Sequence, residues 1–449
     1  MSYLAEAQTP PDDRALRSSP EHVSHLPENA VVLALARRQE AHLAPFRRAL
    51  SLPLVIDETW EPDVFDRYNV ALLIVLSNDV WRSDVCLREA RRRRIPSLFL
   101  MDGILEFRHQ WTNPRFAAGG GAPFMTPVLA DKIACKGWSD ARRLESWGNH
   151  GRCEIVGLPR LDSCLPVKPW RQRSPHDPPR ILIASANRPW FTSDQQSQVV
   201  RAFASLQAFT ERRCDIDFEW RLRGDLNRLL LLPPFAASDP ARPIAEVLQE
   251  VDAVITQSST LQLEAMMSGL PVALFDFENV PHFLPSAWRI TAESQIGGIV
   301  DSLLRPEPAR LSYQNECLHN ALSCQSAATP RMVRLIEELI TAGNGGRAGS
   351  GPLEIPNRIL PPAPPAPLSA DLDLRRQYES HPTFGNTDLL DMQRRLAMLE
   401  LELGAARHEL LRRSLGFWID KGCARAAQEI KHFFARRGPA AQIQFDQHA

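Results

Sequence analysis

The sequence predicts an α/β protein of two Rossmann-like domains facing each other across a cleft, followed by a helical tail. Three observations carry that expectation. Short apolar runs alternate with amphipathic stretches, which argues for parallel sheets covered by helices on both faces. A polar, Pro-rich interruption at 166–179 halts the alternation, which then restarts. The chain has 449 residues, enough for two or three domains of roughly 100–200 residues each.

The elements follow in order along the chain. Residues 1–28 are polar and Pro-containing, are expected to be disordered, and carry no basic segment followed by an apolar one, so no secretory signal is read there. The first domain, 29–165, has strand-like runs at 31–36, 70–77, 97–102, 132–136 and 153–157, with helices at 38–49 and 83–94. The second of these helices ends in Arg91-Arg92-Arg93-Arg94, where cations offset the macrodipole. Residues 166–179 are the interdomain linker. The second domain, 180–341, has strands at 180–185, 217–223, 253–256, 271–277 and near 288–291. Its helices are expected at 193–209, 242–250 and 260–268, with closing helices at 293–304, 309–322 and 330–341.

Residues 342–385 are Gly-rich, then Pro-rich, and read as a flexible to semi-rigid linker. Beyond it, 386–438 forms a helical tail. Leu389, Met392, Leu396, Leu399, Leu403, Ala406 and Leu410 make a short heptad seam that suits pairing between subunits. From Arg407 to Arg437, eight Lys/Arg against three Asp/Glu interleave with Phe417, Trp418, Ile419, Ile430, Phe433 and Phe434. Such a face suits an anionic membrane surface; packing against the body is the alternative.

Composition excludes several classes. Fifty-two Lys+Arg against 53 Asp+Glu leave a net charge of −1, so no protein-wide grip on nucleic acid is indicated. The longest apolar runs are strand-sized, far short of the ~20 residues that span a bilayer. Eight cysteines are scattered without a C-x-x-C pair and read as reduced thiols of a cytosolic protein. The lack of close His/Cys clusters argues against structural zinc. No Walker A loop is present, and Gly119-Gly120-Gly121 reads as a mobile cleft loop.

The most informative stretch is Val251-Asp252-Ala253-Val254-Ile255-Thr256-Gln257-Ser258-Ser259-Thr260. An apolar strand ends in hydroxyls and a helix starts at once, so amide groups and the helix dipole favour an anion there. Glu264 lies one turn on, where a carboxylate could accept both hydroxyls of a ribose. A capped helix with a surface glutamate fits the same spacing.

This stretch, continuing to Gly269-Leu270-Pro271-Val272, resembles the nucleotide-binding half of GT-B glycosyltransferases. The relatives include bacterial capsule and lipopolysaccharide glycosyltransferases, CDP-glycerol glycerophosphotransferases and UDP-N-acetylglucosamine 2-epimerases. Ala130-Asp131-Lys132-Ile133, Trp147-Gly148-Asn149 and Ile155-Val156-Gly157-Leu158-Pro159-Arg160-Leu161-Asp162 resemble the close of that family's acceptor domain. The resemblance implies that Ser258, Ser259 and Thr260 hold the donor's phosphates and Glu264 its ribose. Asn187 and Arg188 would lie at the cleft edge. Arg223 would stand where relatives carry a basic motif, although the His-Pro of that motif is missing here. Asn279 or His282 could reach sugar or phosphate, with a structural role in the turn as the alternative. For transfer by inversion a base must deprotonate the acceptor. Asp102 is the best-placed carboxylate, with Glu106 and His109 in the same loop as rivals.

The implied activity is metal-independent transfer of a sugar from a nucleotide-sugar donor to a cell-surface glycan or lipid-linked acceptor. No cofactor is expected, and the protein would work in the cytoplasm or at the periphery of the inner membrane. A 2-epimerase-like isomerase and a non-catalytic GT-B-like scaffold are the rivals.

Overall fold

The computed structural model describes residues 29–36, 39–76, 80–109, 113, 125, 127–170, 178–223, 225–232, 239, 242–277, 282–348 and 353–365. The expected N-terminal disorder, the Gly119–Gly121 run, Asn279 and the helical tail with its heptad seam and basic face lie outside these residues.

The first sheet contains β1 (Ala30–Leu35), β2 (Leu54–Asp57), β3 (Asn69–Val75), β4 (Ser97–Leu100), β5 (Lys132–Cys135) and β6 (Cys153–Ile155). Its order is β2-β1-β3-β4-β5-β6, with every pair parallel. The second contains β7 (Arg180–Ala184), β8 (Asp217–Arg221), β9 (Ala253–Thr256), β10 (Val272–Phe275) and β11 (Trp288–Ile290). Its order is β11-β10-β9-β7-β8, again all parallel. In each sheet the chain starts inside, adds one strand on one side and then reverses. The reversals fall between β1 and β3 and between β7 and β9. Open parallel sheets bind ligands beyond the carboxyl ends of their strands at such reversals.

Strands covered on both faces read as unbroken apolar runs. Strands β4, β5, β9 and β10 are buried along their whole length, and β3 is buried from Val70 onward. Strand β2 was not expected from the sequence. It is a four-residue edge strand, buried only at Leu54 and Asp57, and short edges leave little periodic signal.

Two expectations change here. The helix expected to close the second domain spans Ala328–Ala348 and packs on the first sheet instead. Its Met332, Leu335, Ile336, Leu339 and Ile340 share one core with Val32, Leu72, Ile74 and Leu98. It also runs past its expected end at 341, because tertiary packing overrides the weak helix propensity of glycine. A Cβ on Gly343 would lie 2.7 Å from Pro96 Cδ, so the glycine lets helix and strand connection approach closely. The carboxylate of Asp162 caps this helix, accepting from the N–H groups of Ala328 at 2.7 Å and Thr329 at 2.8 Å. Asp162→Ala is expected to lower stability by about 1–2 kcal/mol, as lost caps do, and denaturant titration of the variant checks it.

The Pro-rich spacer is the second change. Residues 353–365 lie against the first half rather than free of it. Lys132 Nζ donates to Asn357 O, Glu154 accepts from the N–H groups of Ile359 and Leu360, Arg331 donates to Pro361 O, and Trp138 Nε1 donates to Pro364 O. An extended Pro-rich chain has no internal hydrogen bonds, so side chains of the body take its backbone groups.

The basic run pairs as well: Arg92 and Arg93 both grip Glu89, whose carboxyl they hold down at about 2, and Arg93 reaches Asp66. No helix among the described residues is long and apolar enough to cross a membrane.

Candidate functional site

The turn after β9 lies at the reversal of the second sheet. Helix Leu261–Met267 begins there with Thr260 at its N-cap position. Thr260 has φ −62° and ψ −20° and its hydroxyl makes no capping bond, unlike the cap expected from the sequence. The nearest substitute is Gln262, whose Oε1 accepts from the Ser259 N–H at 3.4 Å. Thr256 and Ser259 hydroxyls lie 3.4 Å apart. The Gln262 side chain is fully buried, yet its Nε2 has no partner among the described residues. The helix ends at Gly269, whose φ is +73°. A Cβ there would lie 2.3 Å from Pro169 O, so a glycine is needed for the interdomain linker to pass.

Glu264 is not the exposed carboxylate the sequence allows. It is 8% exposed, and its Oε1 accepts from Arg160 Nη1 at 2.6 Å. Arg160 belongs to the 3-10 helix Pro159–Cys164 that follows β6. Within the same Leu158-Pro159-Arg160-Leu161-Asp162 motif, Leu158 and Leu161 are buried in the second half's core beside Val254, Leu263 and Met266. The motif therefore anchors one half on the other with its apolar residues and aims an arginine at the helix after β9.

The carboxyl edge of the first sheet carries the other group. Asp102 follows β4 and is exposed; its Oδ2 accepts from Gln39 Nε2 at 3.0 Å. Gln39 precedes helix Glu40–Arg47, which carries His42. Burial holds the His42 imidazole below the usual histidine range, the Asp102 carboxylate works against that shift, and the Arg160 guanidinium adds to it. Gln39 ties the head of this helix to Asp102, and the helix packs against the 3-10 helix of Arg160. A Cβ on Gly103, next to Asp102, would lie 2.9 Å from Thr260 Oγ1. The loop after β4 and the turn after β9 meet here.

The remaining sequence-predicted residues form other groupings. Glu106 Oε2 lies 3.8 Å from Arg108 Nη2. Arg108 in turn donates to Pro189 O at 2.8 Å, and the His109 ring sits 5.8 Å from the Phe191 ring. Those contacts join the loop after β4 to the loop after β7, where Asn187 and Arg188 are exposed. Gln257, at the head of the turn after β9, supports that loop by accepting from the Ala186 N–H at 3.1 Å. Arg223 is exposed, and its N–H donates to Ser185 Oγ at 2.8 Å. His282 is buried with Nε2 2.9 Å from Asp276 Oδ2, and Arg289 holds the same oxygen. That pairing ties His282 to Asp276, just past the end of β10.

Sequence reasoning did not single out His42, Gln39 or Arg160 as functional. The available signal was topological: Gln39 and His42 directly follow the first strand, at the carboxyl edge of the sheet. Among the described residues no group of three or more His, Cys, Asp or Glu is placed to hold a metal ion.

No family model matches the chain, and no curated protein matches it. Among solved structures it is similar to the UDP-GlcNAc 2-epimerase of Neisseria meningitidis bound to UDP-GlcNAc, at 12% identity and a TM-score of 0.49, over 69% of this chain and 99% of that one. It is also similar to the wall teichoic acid polymerase TagF, at 11% identity and 0.44, over 71% and 90% of the two chains. For a calicheamicin glycosyltransferase the values are 15%, 0.40, 70% and 99%. Such likenesses carry no activity and no residue's role across; the two open parallel sheets by themselves define two Rossmann-like halves.

Proposed function

We propose that this chain is a glycosyltransferase that moves a sugar from a nucleotide-sugar donor to an acceptor hydroxyl without a metal ion. The observation behind this reading is the meeting of the loop after β4, which carries Asp102, with the turn after β9, which carries Thr260, beside the Arg160–Glu264 pair. The sequence resemblance of the Val251–Val272 stretch supports the donor side.

In this mechanism neutral His42 takes the proton of the acceptor hydroxyl, and Asp102 stabilises the imidazolium that forms. The acceptor oxygen attacks the anomeric carbon as the bond to the diphosphate breaks. The nucleoside diphosphate leaves with the extra negative charge. Amide groups of the Ser258–Thr260 turn and the exposed Arg188 and Arg223 stabilise that charge. Glu264 accepts the ribose hydroxyls. The acceptor is a cell-surface glycan or a lipid-linked saccharide, and the basic tail would bring the enzyme to an anionic membrane.

Product analysis by mass spectrometry tests the reading. Acceptor-dependent release of a nucleoside diphosphate supports transfer. A changed sugar on an intact donor, formed without acceptor, would assign an epimerase instead, and no turnover with any nucleotide sugar would leave a scaffold. Glu264→Gln is expected to weaken donor binding about 10–100-fold, equivalent to the ~1.5–3 kcal/mol of a hydrogen bond to a charged group. Calorimetric titration with the nucleotide sugar that turns over checks this, and unchanged affinity removes Glu264 from the donor site.

A further inference from the structure

Arg160 stands where three otherwise separate parts of the chain converge. Its 3-10 helix is fixed from several sides: Leu158 and Leu161 lie in the second half's core, Asp162 holds the start of helix Ala328–Ala348, and helix Glu40–Arg47 packs against it. A guanidinium carried on such a base has little freedom to wander. One arm donates to Glu264 Oε1, while Nε, although buried, has no partner among the described residues. Glu264 Oε2 has no hydrogen bond among the described residues either. The carboxylate is therefore anchored by one oxygen and keeps the other for a further donor. The helix that packs against the 3-10 helix of Arg160 carries His42, and Gln39 at its head bonds Asp102 from the end of β4.

We propose that Arg160 is a positioning residue that serves both sides of the site, fixing Glu264 for the ribose hydroxyls and setting the electrostatic surroundings of His42. The ribose part rests on the donor reading above; the His42 part does not. Two separable effects act here. A buried carboxylate needs a partner to remain charged, and the planar guanidinium fork sets its orientation as well as its charge. A cation near the imidazole disfavours the imidazolium, whatever the shape of the cation. Arg160→Lys keeps the charge and loses the fork, whereas Arg160→Gln loses both.

The test uses the full chain and two readouts. The first is calorimetric affinity for UDP, CDP, GDP and ADP and for their 2′-deoxy counterparts. The second is the titration midpoint of His42, followed by NMR of histidine-labelled protein and assigned by comparison with His42→Asn. The wild type is expected to favour the ribonucleotide, and both Arg160 variants to lose about tenfold of that preference while diphosphate binding persists. The His42 midpoint is expected to rise in Arg160→Gln and to stay near the wild-type value in Arg160→Lys. A purely structural role would lower the melting temperature without splitting the two variants in this way. If the variants keep the ribose preference, the ribose assignment of Arg160 is overturned while the donor reading stands. If the wild type binds none of the nucleotides, the donor reading fails and the ribose part with it. An unmoved midpoint in Arg160→Gln overturns the His42 part regardless of what binds. Arg160→Lys provides the folded comparison should Arg160→Gln fail to fold.

Discussion

Asp102→Asn and His42→Asn are each expected to slow transfer by about 10²–10⁴-fold, the usual contribution of a positioned acid–base group, with donor affinity unchanged. The two variants should differ in their pH profiles. His42 acts as a base only when neutral, so the rate falls as pH drops through its midpoint. Burial and Arg160 set that midpoint below the usual histidine value of 6.5, while Asp102 pulls it up. Removing the Asp102 charge therefore lowers the midpoint further. The plateau of Asp102→Asn should be depressed while its acid limb shifts to lower pH. Asparagine still offers an oxygen to Gln39 Nε2, so the loop after β4 has reason to keep its place. His42→Asn should remove the acid limb altogether. Glu106→Gln and His109→Ala are the comparisons, and both are expected to act weakly, since Glu106 lies beside Arg108 and His109 beside Phe191. A full loss in either of them with no loss in His42→Asn would move the base to that loop.

The difference between what could be read from the chain and what could not follows sequence separation. Strands such as Val70–Val75 were legible because burial on both faces leaves an apolar run that only a covered strand explains. The turn after β9 was legible as a strand end followed by a helix start because its hydroxyls and Glu264 lie within one short stretch. Asp102 was legible as a carboxylate at a strand end. Its partner Gln39 is 63 positions away and Arg160 is 104 positions from Glu264, separations that leave no local pattern. His42 sits on an amphipathic helix where a single histidine looks like any half-buried polar residue. Thr260 misled in the opposite direction: its type and position match a cap, but its own backbone is already helical and the hydroxyl is left uncommitted to capping. Composition misled again at 353–365, because Pro-rich stretches are free only where nothing takes their carbonyls and N–H groups. Here the partners are Lys132, Glu154, Trp138 and Arg331, and no inspection of the stretch itself could reveal them.

That ordered stretch should control the stability of the first half. Glu154→Ala is expected to cost about 3–5 kcal/mol, the range found when one member of a buried ion pair is removed. Lys132 is 1% exposed, and its Nζ bonds Glu154 Oε1 at 3.0 Å together with the carbonyls of Gly151 and Asn357. Without the carboxylate a buried ammonium keeps only neutral partners. The N–H groups of Ile359 and Leu360, which Glu154 accepts at 2.7 Å and 3.1 Å, lose theirs as well. Glu154→Gln retains one acceptor oxygen and should be milder than Glu154→Ala. Lys132→Met combined with Glu154→Met removes both charges and should recover part of the loss, because two apolar groups of similar volume leave no buried charge behind. The part not recovered measures the stretch's unpaired N–H groups. Denaturant titration gives the energies, and limited proteolysis reports whether residues 353–365 have come away. A change within about 0.5 kcal/mol for Glu154→Ala, the scale of an ordinary surface substitution, together with unaltered cleavage, would show that the carboxylate does not hold this segment in place.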